Sequence, residues 1–151
     1  MNDNTQGPEP DSRQSRLIED VVSLLLAMAQ RLQQHAVASA AEFDMTLSQA
    51  KVLVELEPGE AVPMGELALR LNYDASNLTG LVDRLEARGA LERRLDPDDR
   101  RVKEIVITNE GARLQDAFRR RLLDHRGSFG ALTVAQLQEL RDLLSVALEK
   151  E

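Results

Sequence analysis

The chain has 151 residues, of which 42% are hydrophobic and 30% are charged. This is the size of one ordinary domain, and its apolar fraction excludes wholesale disorder. The absence of cysteine excludes disulfides, thiolate catalysis and thiol-based redox sensing. With two histidines and no apolar run of the ~18–20 residues that a membrane helix needs, we predict no metal, no cofactor, no membrane partner and a cytoplasmic location.

The net charge is −7, but the charges are unevenly distributed. Residues 84–126 carry twelve basic and nine acidic side chains, a net charge of +3, whereas residues 1–83 carry five basic and thirteen acidic ones. The local field, and not the net charge, decides where a phosphate backbone can dock. Only four aromatic residues are present, which leaves no platform for stacking single-stranded bases.

The N-terminal half predicts a tail followed by a long helix. Residues 1–14 are polar with two prolines, and we predict a disordered tail. Residues 15–41 contain neither Gly nor Pro, and their apolar residues recur at three- and four-residue steps. This helix is apolar over so much of its circumference that it needs more than one neighbour.

Residues 42–108 predict a helix-turn-helix followed by a β-hairpin. Pro63 suits the first turn of a short helix that ends before a turn at Asn72, and Asp74 caps a helix from Ala75 to Arg88. Two segments, 91–95 and 104–108, then alternate residues between two sides, as strands do. Turn residues and a basic tip separate them. In the return strand, Ile105 and Ile107 face one side while Glu104, Val106 and Thr108 face the other. The predicted fold class is therefore mainly α with a small β-hairpin wing, a winged helix-turn-helix domain.

Residues 109–150 predict two further helices. Thr108 can cap a helix that runs to about His125, and Thr133 with Gln136 forms a capping box at the start of the last helix. The helices of 15–41 and 109–150 carry more apolar surface than one winged domain can cover. We therefore expect these segments to form a helical dimerisation region of a homodimer.

The helix from Ala75 places apolar residues on one face and small polar residues on the other. A glycine in the interior of a helix costs about 1 kcal/mol relative to alanine, and an approach of the helix to DNA would explain Gly80. The alternative is an ordinary solvated face. The candidate residues for reading base edges and phosphates are Ser76, Asn77, Thr79, Gly80 and Arg84.

The hairpin concentrates positive charge beside this helix. Its basic residues are Arg93, Arg94, Arg100, Arg101 and Lys103. The alternative is a solvated hairpin whose charge is balanced by Asp96, Asp98 and Asp99. A separate run, Arg119–Arg121, points in different directions at helical spacing, and we expect it to be solvated and paired with acids.

Two motifs of this region resemble those of the MarR family, the multiple-antibiotic-resistance-type regulators. The pattern Leu-Val-Asp-Arg-Leu-Glu-x-Arg-Gly matches Leu81 to Gly89 without a gap. The wing pattern Asp-x-Arg matches Asp99-Arg100-Arg101, and Ile107 stands where leucine is usual in the family. The resemblance covers about residues 15–150, including the order of the helices.

The resemblance implies a homodimeric transcriptional regulator, more commonly a repressor. It implies that Ser76, Asn77, Thr79 and Arg84 face the major groove of double-stranded DNA, and that Arg101 enters the minor groove. Asp99 would orient that arginine or pair with a neighbour, and Arg100 and Lys103 would contact phosphates. It also implies a small aromatic or phenolic effector, bound where the dimerisation and winged regions meet. A two-fold dimer would present two identical helices to DNA, and we therefore expect an inverted-repeat operator.

Two other classes of function are alternatives to DNA binding. An enzyme is not predicted, because the sequence has no nucleophile motif, no phosphate-binding glycine loop and no metal-ligand spacing. The second is a winged-helix protein–protein interaction module without DNA binding, which the acidic net charge favours slightly. Salt separates the two, because binding to several phosphates weakens steeply as salt rises.

Overall fold

The computed structural model describes residues 12–96, 99, 101–124 and 129–149. The fold is mainly helical with a small antiparallel sheet, and the chain divides into two compact units, residues 1–47 and 48–151. The predicted fold class is confirmed. The elements in chain order are α1 (Ser12–Ala41), α2 (Leu47–Glu55), β1 (Ala61–Pro63), α3 (Met64–Leu71), α4 (Ala75–Ala87), β2 (Leu91–Leu95), β3 (Lys103–Ile107), α5 (Asn109–Leu123) and α6 (Val134–Leu148).

The first unit contains the uninterrupted 30-residue helix α1. It begins at Ser12, three residues before the predicted start, and residues 1–11 of the predicted tail lie outside the described residues. No helix among the described residues is both long and apolar enough to cross a membrane. Between 45% and 70% of the surface of each of these α1 residues is exposed: Leu17, Ile18, Val21, Val22, Leu24, Leu25, Leu26 and Val37.

The second unit is built around a three-stranded antiparallel sheet in the order β1-β3-β2. Ile105, Val106 and Ile107 of the central strand β3 are all at most 6% exposed. Because successive side chains of a strand point to opposite faces, both faces of β3 are covered. Val106, which we placed on the same side as Glu104, is therefore as well buried as Ile105 and Ile107 on the other side.

Strand β1 was not predicted. It has only three residues, and Val62 pairs with Ile105 of β3. Its last residue, Pro63, has an extended backbone (φ −56°, ψ 138°) and is the N-cap of α3, not a residue of its first turn as predicted. A proline is tolerated there because β1 is an edge strand, where its missing N–H need not join the ladder.

Three predicted helix caps are confirmed. The Asp74 side chain accepts a hydrogen bond from the backbone of Asn77, and Thr108 accepts one from Gly111. Thr133 and Gln136 form the complete capping box. Each cap satisfies N–H groups that have no partner inside the helix.

Helix α4 ends at Ala87, one residue before its predicted end. Gly89 follows with φ of 75°, and the Ala90 amide donates to the Leu85 carbonyl at 2.9 Å. This is a Schellman turn, in which glycine adopts the left-handed conformation at least cost. The turn leads the chain directly from α4 into β2.

Helix α5 is attached to the rest of the second unit by polar side chains. Gln115 is 1% exposed, and its amide donates to the Leu53 and Leu56 carbonyls at the end of α2. Arg119 donates to the Val54 carbonyl at 2.9 Å and lies 3.9 Å from Glu57. These two side chains therefore bond to carbonyl groups at the end of α2, of which that of Leu53 also accepts from the Leu56 amide.

Helix α6 has no buried residue. Its exposed large apolar residues range from 38% exposure for Leu137 and Leu144 to 81% for Leu148. The preceding helix α5 ends at Leu123. Its predicted end, His125, lies outside the described residues. In the isolated chain, α6 thus leaves most of its apolar surface in water.

Candidate nucleic-acid interface

The first turn of α4 is fixed by Asp74. Its carboxylate accepts a hydrogen bond from the Asn77 backbone at 2.8 Å and another from the Ser76 hydroxyl at 2.7 Å. The bond from Ser76, followed by that from Asn77, lowers the pKa of Asp74 below its ordinary value. The charged form of the cap is therefore favoured, which suits the positive end of a helix dipole.

Helix α4 has one buried face and one exposed face. The buried face consists of Leu78, Leu81, Val82 and Leu85, each at most 5% exposed. These residues hold the helix in the core and leave its other side open. The predicted site residues Ser76, Asn77, Thr79 and Arg84 are all on the exposed side.

Gly80 is half-buried in the middle of α4. A Cβ added at this position would meet no atom within 4 Å outside its own helix. The packing of the described residues therefore does not require glycine at this position. That agrees with the prediction that Gly80 serves the approach of an external partner, which stays a prediction.

The polar side chains of α4 differ in how many donor and acceptor groups remain available to a partner. The hydroxyl groups of Ser76 and Thr79 donate within the chain, to Asp74 and to the Ala75 carbonyl at 2.7 Å respectively, and retain only their acceptor lone pairs. The side chains of Asn77 and Arg84 make no hydrogen bond to any described residue. Asn77 is thus free to donate and accept at once, as recognition of a base edge requires.

The tip of the wing is organised by Asp99 and Arg101. Their side chains form two hydrogen bonds, Nε to Oδ1 at 3.0 Å and Nη2 to Oδ2 at 3.1 Å, and the Arg101 backbone adds a third. This contact lowers the pKa of Asp99. The Arg101 side chain nevertheless stays 91% exposed, so Asp99 orients it without burying it.

Of the other two predicted wing residues, Lys103 and Arg100, the structure describes only Lys103. Lys103 is exposed at the start of β3 and pairs with no described acid. Arg100 lies outside the described residues.

Arg93 and Arg94, which we expected to concentrate positive charge beside α4, both form ion pairs with acids. The Arg93 guanidinium forms ion pairs with Asp83 and Glu86 of α4, and the side chain is 22% exposed. Arg94 pairs with Glu92. The acids that pair with Arg93 belong to α4 and offset its charge beside that helix, whereas the Arg94 side chain stays 60% exposed.

A groove of about 520 Å³ joins the two elements of the predicted site. It brings Thr79 of α4 together with Arg101 and Lys103 of the wing, and it does not include Ser76, Asn77 or Arg84. The start of α3 also lines it, which was not predicted although the glycine in its first turn was a signal. The lining residues are Met64, Gly65, Ala75, Leu78, Thr79, Asp83, Arg93, Arg101 and Lys103.

The chain is similar in sequence and in fold to known proteins. The sequence model of the MarR family matches residues 43–102. The transcriptional repressor MdtR of Bacillus subtilis is 30% identical over 64% of this chain, and the chain spans 62% of that protein's length.

Two solved structures extend the likeness to nearly the whole fold. MarR of Escherichia coli in its apo form is 26% identical with a TM-score of 0.73, over 83% of this chain and 95% of the other. CouR of Rhodococcus jostii, solved bound to p-coumaroyl-CoA, is 31% identical with a TM-score of 0.68, over 89% of this chain and 96% of the other. With these matches and the winged helix-turn-helix seen here, the chain belongs to the MarR family.

Proposed function

We propose that this protein is a transcriptional regulator that binds double-stranded DNA as a homodimer at an inverted repeat. The observation that carries the proposal is the outer face of α4 beside the wing. There, Asn77 and Arg84 have no partner among the described residues, while Asp99 holds Arg101 toward solvent. Neutral groups that read base edges and cations that meet phosphates are the two components that a specific DNA contact needs.

The roles we assign follow from these differences in hydrogen bonding. Asn77 reads a base edge, Ser76 and Thr79 accept hydrogen bonds from bases, and Gly80 allows the helix to come close. Arg84 and Lys103 meet phosphates, and Arg101 enters a minor groove whose negative potential attracts it. For Arg100, a phosphate contact is what the resemblance to the MarR family implies.

The dimer is supported by the apolar surface of the terminal helices. Leu24 of α1 is 70% exposed and Leu143 of α6 is 63% exposed, and each lies among other exposed apolar residues. Exposed apolar patches of this kind mark protein interfaces. A two-fold dimer presents two copies of α4, which fits two half-sites about 10 base pairs apart.

We further propose repression that a small effector releases. The relative MdtR is a repressor, and CouR binds an aromatic acyl-CoA ester. We expect an effector of the small aromatic or phenolic class.

Selection of bound sequences from random duplex DNA tests the function. The proposal predicts enrichment of an inverted repeat and an affinity for it that falls steeply with salt. Absence of any enriched sequence would contradict it and would favour the protein–protein interaction module.

A further inference from the structure

The ion pairs of Arg93 connect the helix assigned to base reading with the strand that carries the wing. Asp83 and Glu86 lie three residues apart on α4, and the Arg93 guanidinium of β2 bonds to both. The Arg93 backbone amide also donates to Glu86, at 3.2 Å. Three hydrogen bonds from one residue thus join the two elements.

The position of Arg93 in the sheet means that its bonds to α4 also hold the wing in place. Arg93 is the middle residue of β2 and lies opposite Ile105 of β3, which is fully buried. Lys103 lies opposite Leu95 at the far end of the same ladder. Fixing Arg93 to α4 therefore fixes the point from which the wing projects.

The connection also has an electrostatic consequence. Asp83 lies seven residues after Ser76 and three after Gly80, so it shares the exposed stripe of α4 and is itself 58% exposed. It also lines the groove with Arg101 and Lys103. An unpaired carboxylate at this position would repel a phosphate backbone, and Arg93 neutralises it.

We propose that Arg93 is a positioning residue for DNA binding, which holds the wing at a fixed angle to α4 and neutralises Asp83 and Glu86 on the DNA-facing side. This inference rests on the proposed function. It assigns to Arg93 no contact with DNA, because both ends of its guanidinium already bind carboxylates of α4.

The neighbouring Arg94 supplies a matched control. It lies on the same strand and also pairs with an acid, Glu92, but that acid belongs to β2 and not to α4. Arg93→Gln and Arg94→Gln therefore remove the same charge from adjacent positions, and only the first removes the side-chain ion pairs between β2 and α4. Thermal unfolding of both variants checks that each is folded.

DNA affinity is measured on a duplex that the parent protein has selected. We expect Arg93→Gln to weaken binding about tenfold or more, and Arg94→Gln to weaken it less than threefold. Arg93→Lys, which keeps the charge but not the fork, restores part of the loss. Adding Asp83→Asn to Arg93→Gln also restores part of it, because the unpaired carboxylate is removed.

Hydrogen exchange of the hairpin amides gives a readout that needs no DNA. We expect faster exchange in β2 and β3 of Arg93→Gln and unchanged exchange in Arg94→Gln. Equal losses of affinity in the two glutamine variants, no recovery with Asp83→Asn, or unchanged hairpin exchange would each overturn the inference. Failure of the parent protein to select any duplex would instead overturn the proposed function, and the exchange measurement would still test the connection.

Discussion

Helices α4 and α6 have similar lengths and similar leucine-rich stripes, but they bury these stripes differently. All four large apolar residues of α4 are at most 5% exposed, whereas α6 has no buried residue. The difference lies in what the chain places opposite each helix, and not in the amphipathic pattern. Because the apolar face of α4 is covered, only its polar face can contact a partner. In α6 the apolar face itself is exposed and can contact one.

The largest effect should follow from truncating the buried stripe. Leu85 is fully buried, and Leu85→Ala should lower the free energy of unfolding by about 2–5 kcal/mol, because it removes packed atoms and leaves a cavity. Leu69→Ala, on an α3 residue that is 83% exposed, is the control and should change it by less than about 0.5 kcal/mol. Urea denaturation measures both, and equal effects would refute the assignment of α4 to the core.

Changes in the exposed apolar stripe of α6 should weaken dimerisation. Leu144→Asp on α6 should raise the dimer dissociation constant about 100-fold, since it places a charge in an apolar interface. Gln138→Asp adds the same charge to an exposed polar position of the same helix and serves as its control. Analytical ultracentrifugation decides, and a Leu144→Asp variant that dimerises like the control would argue against α6 as the interface.

The outer face of α4 should affect specificity. Asn77→Ala should cost about 1–3 kcal/mol of binding on the selected duplex and much less on a scrambled one, because a base-edge contact is lost. The slope of affinity against salt should hardly change. Fluorescence anisotropy on both duplexes measures this, and equal losses on the two would show that Asn77 does not read sequence.

The wing should contribute charge with less dependence on sequence. Arg101→Ala should weaken binding to both duplexes and reduce the slope of log affinity against log salt by about one unit per half-site. Arg113→Ala removes an exposed arginine that pairs with Glu110 on α5 and is the matched control. If the Arg101→Ala variant had the salt slope of the parent, the wing would not be part of the DNA interface.

Local sequence signals predicted much of the fold. The caps at Asp74, Thr108 and Thr133 were found because capping depends on residues three positions apart in the chain. Strand β1 was missed because three residues that end in proline give no alternating pattern. The burial of Val106 was not predicted, because an alternating pattern assigns a residue to a face but does not say what covers that face.

The candidate site divides in the same way. The exposed positions of Ser76, Asn77, Thr79 and Arg84 follow from helical periodicity, which the sequence contains. The pairing of Arg93 with Asp83 and Glu86 could not be foreseen, because it depends on how closely β2 passes α4 after the turn at 88–90. Charge counts along a sequence therefore overestimate the charge that a surface leaves open.

The central claim is that two copies of this chain present two α4 helices to one inverted repeat. The most direct measurement is the stoichiometry of the complex with a selected duplex, together with a hydroxyl-radical footprint of both strands. The account predicts two chains per duplex and two protected half-sites, related by a dyad and about 10 base pairs apart. One chain on a single asymmetric half-site would contradict it.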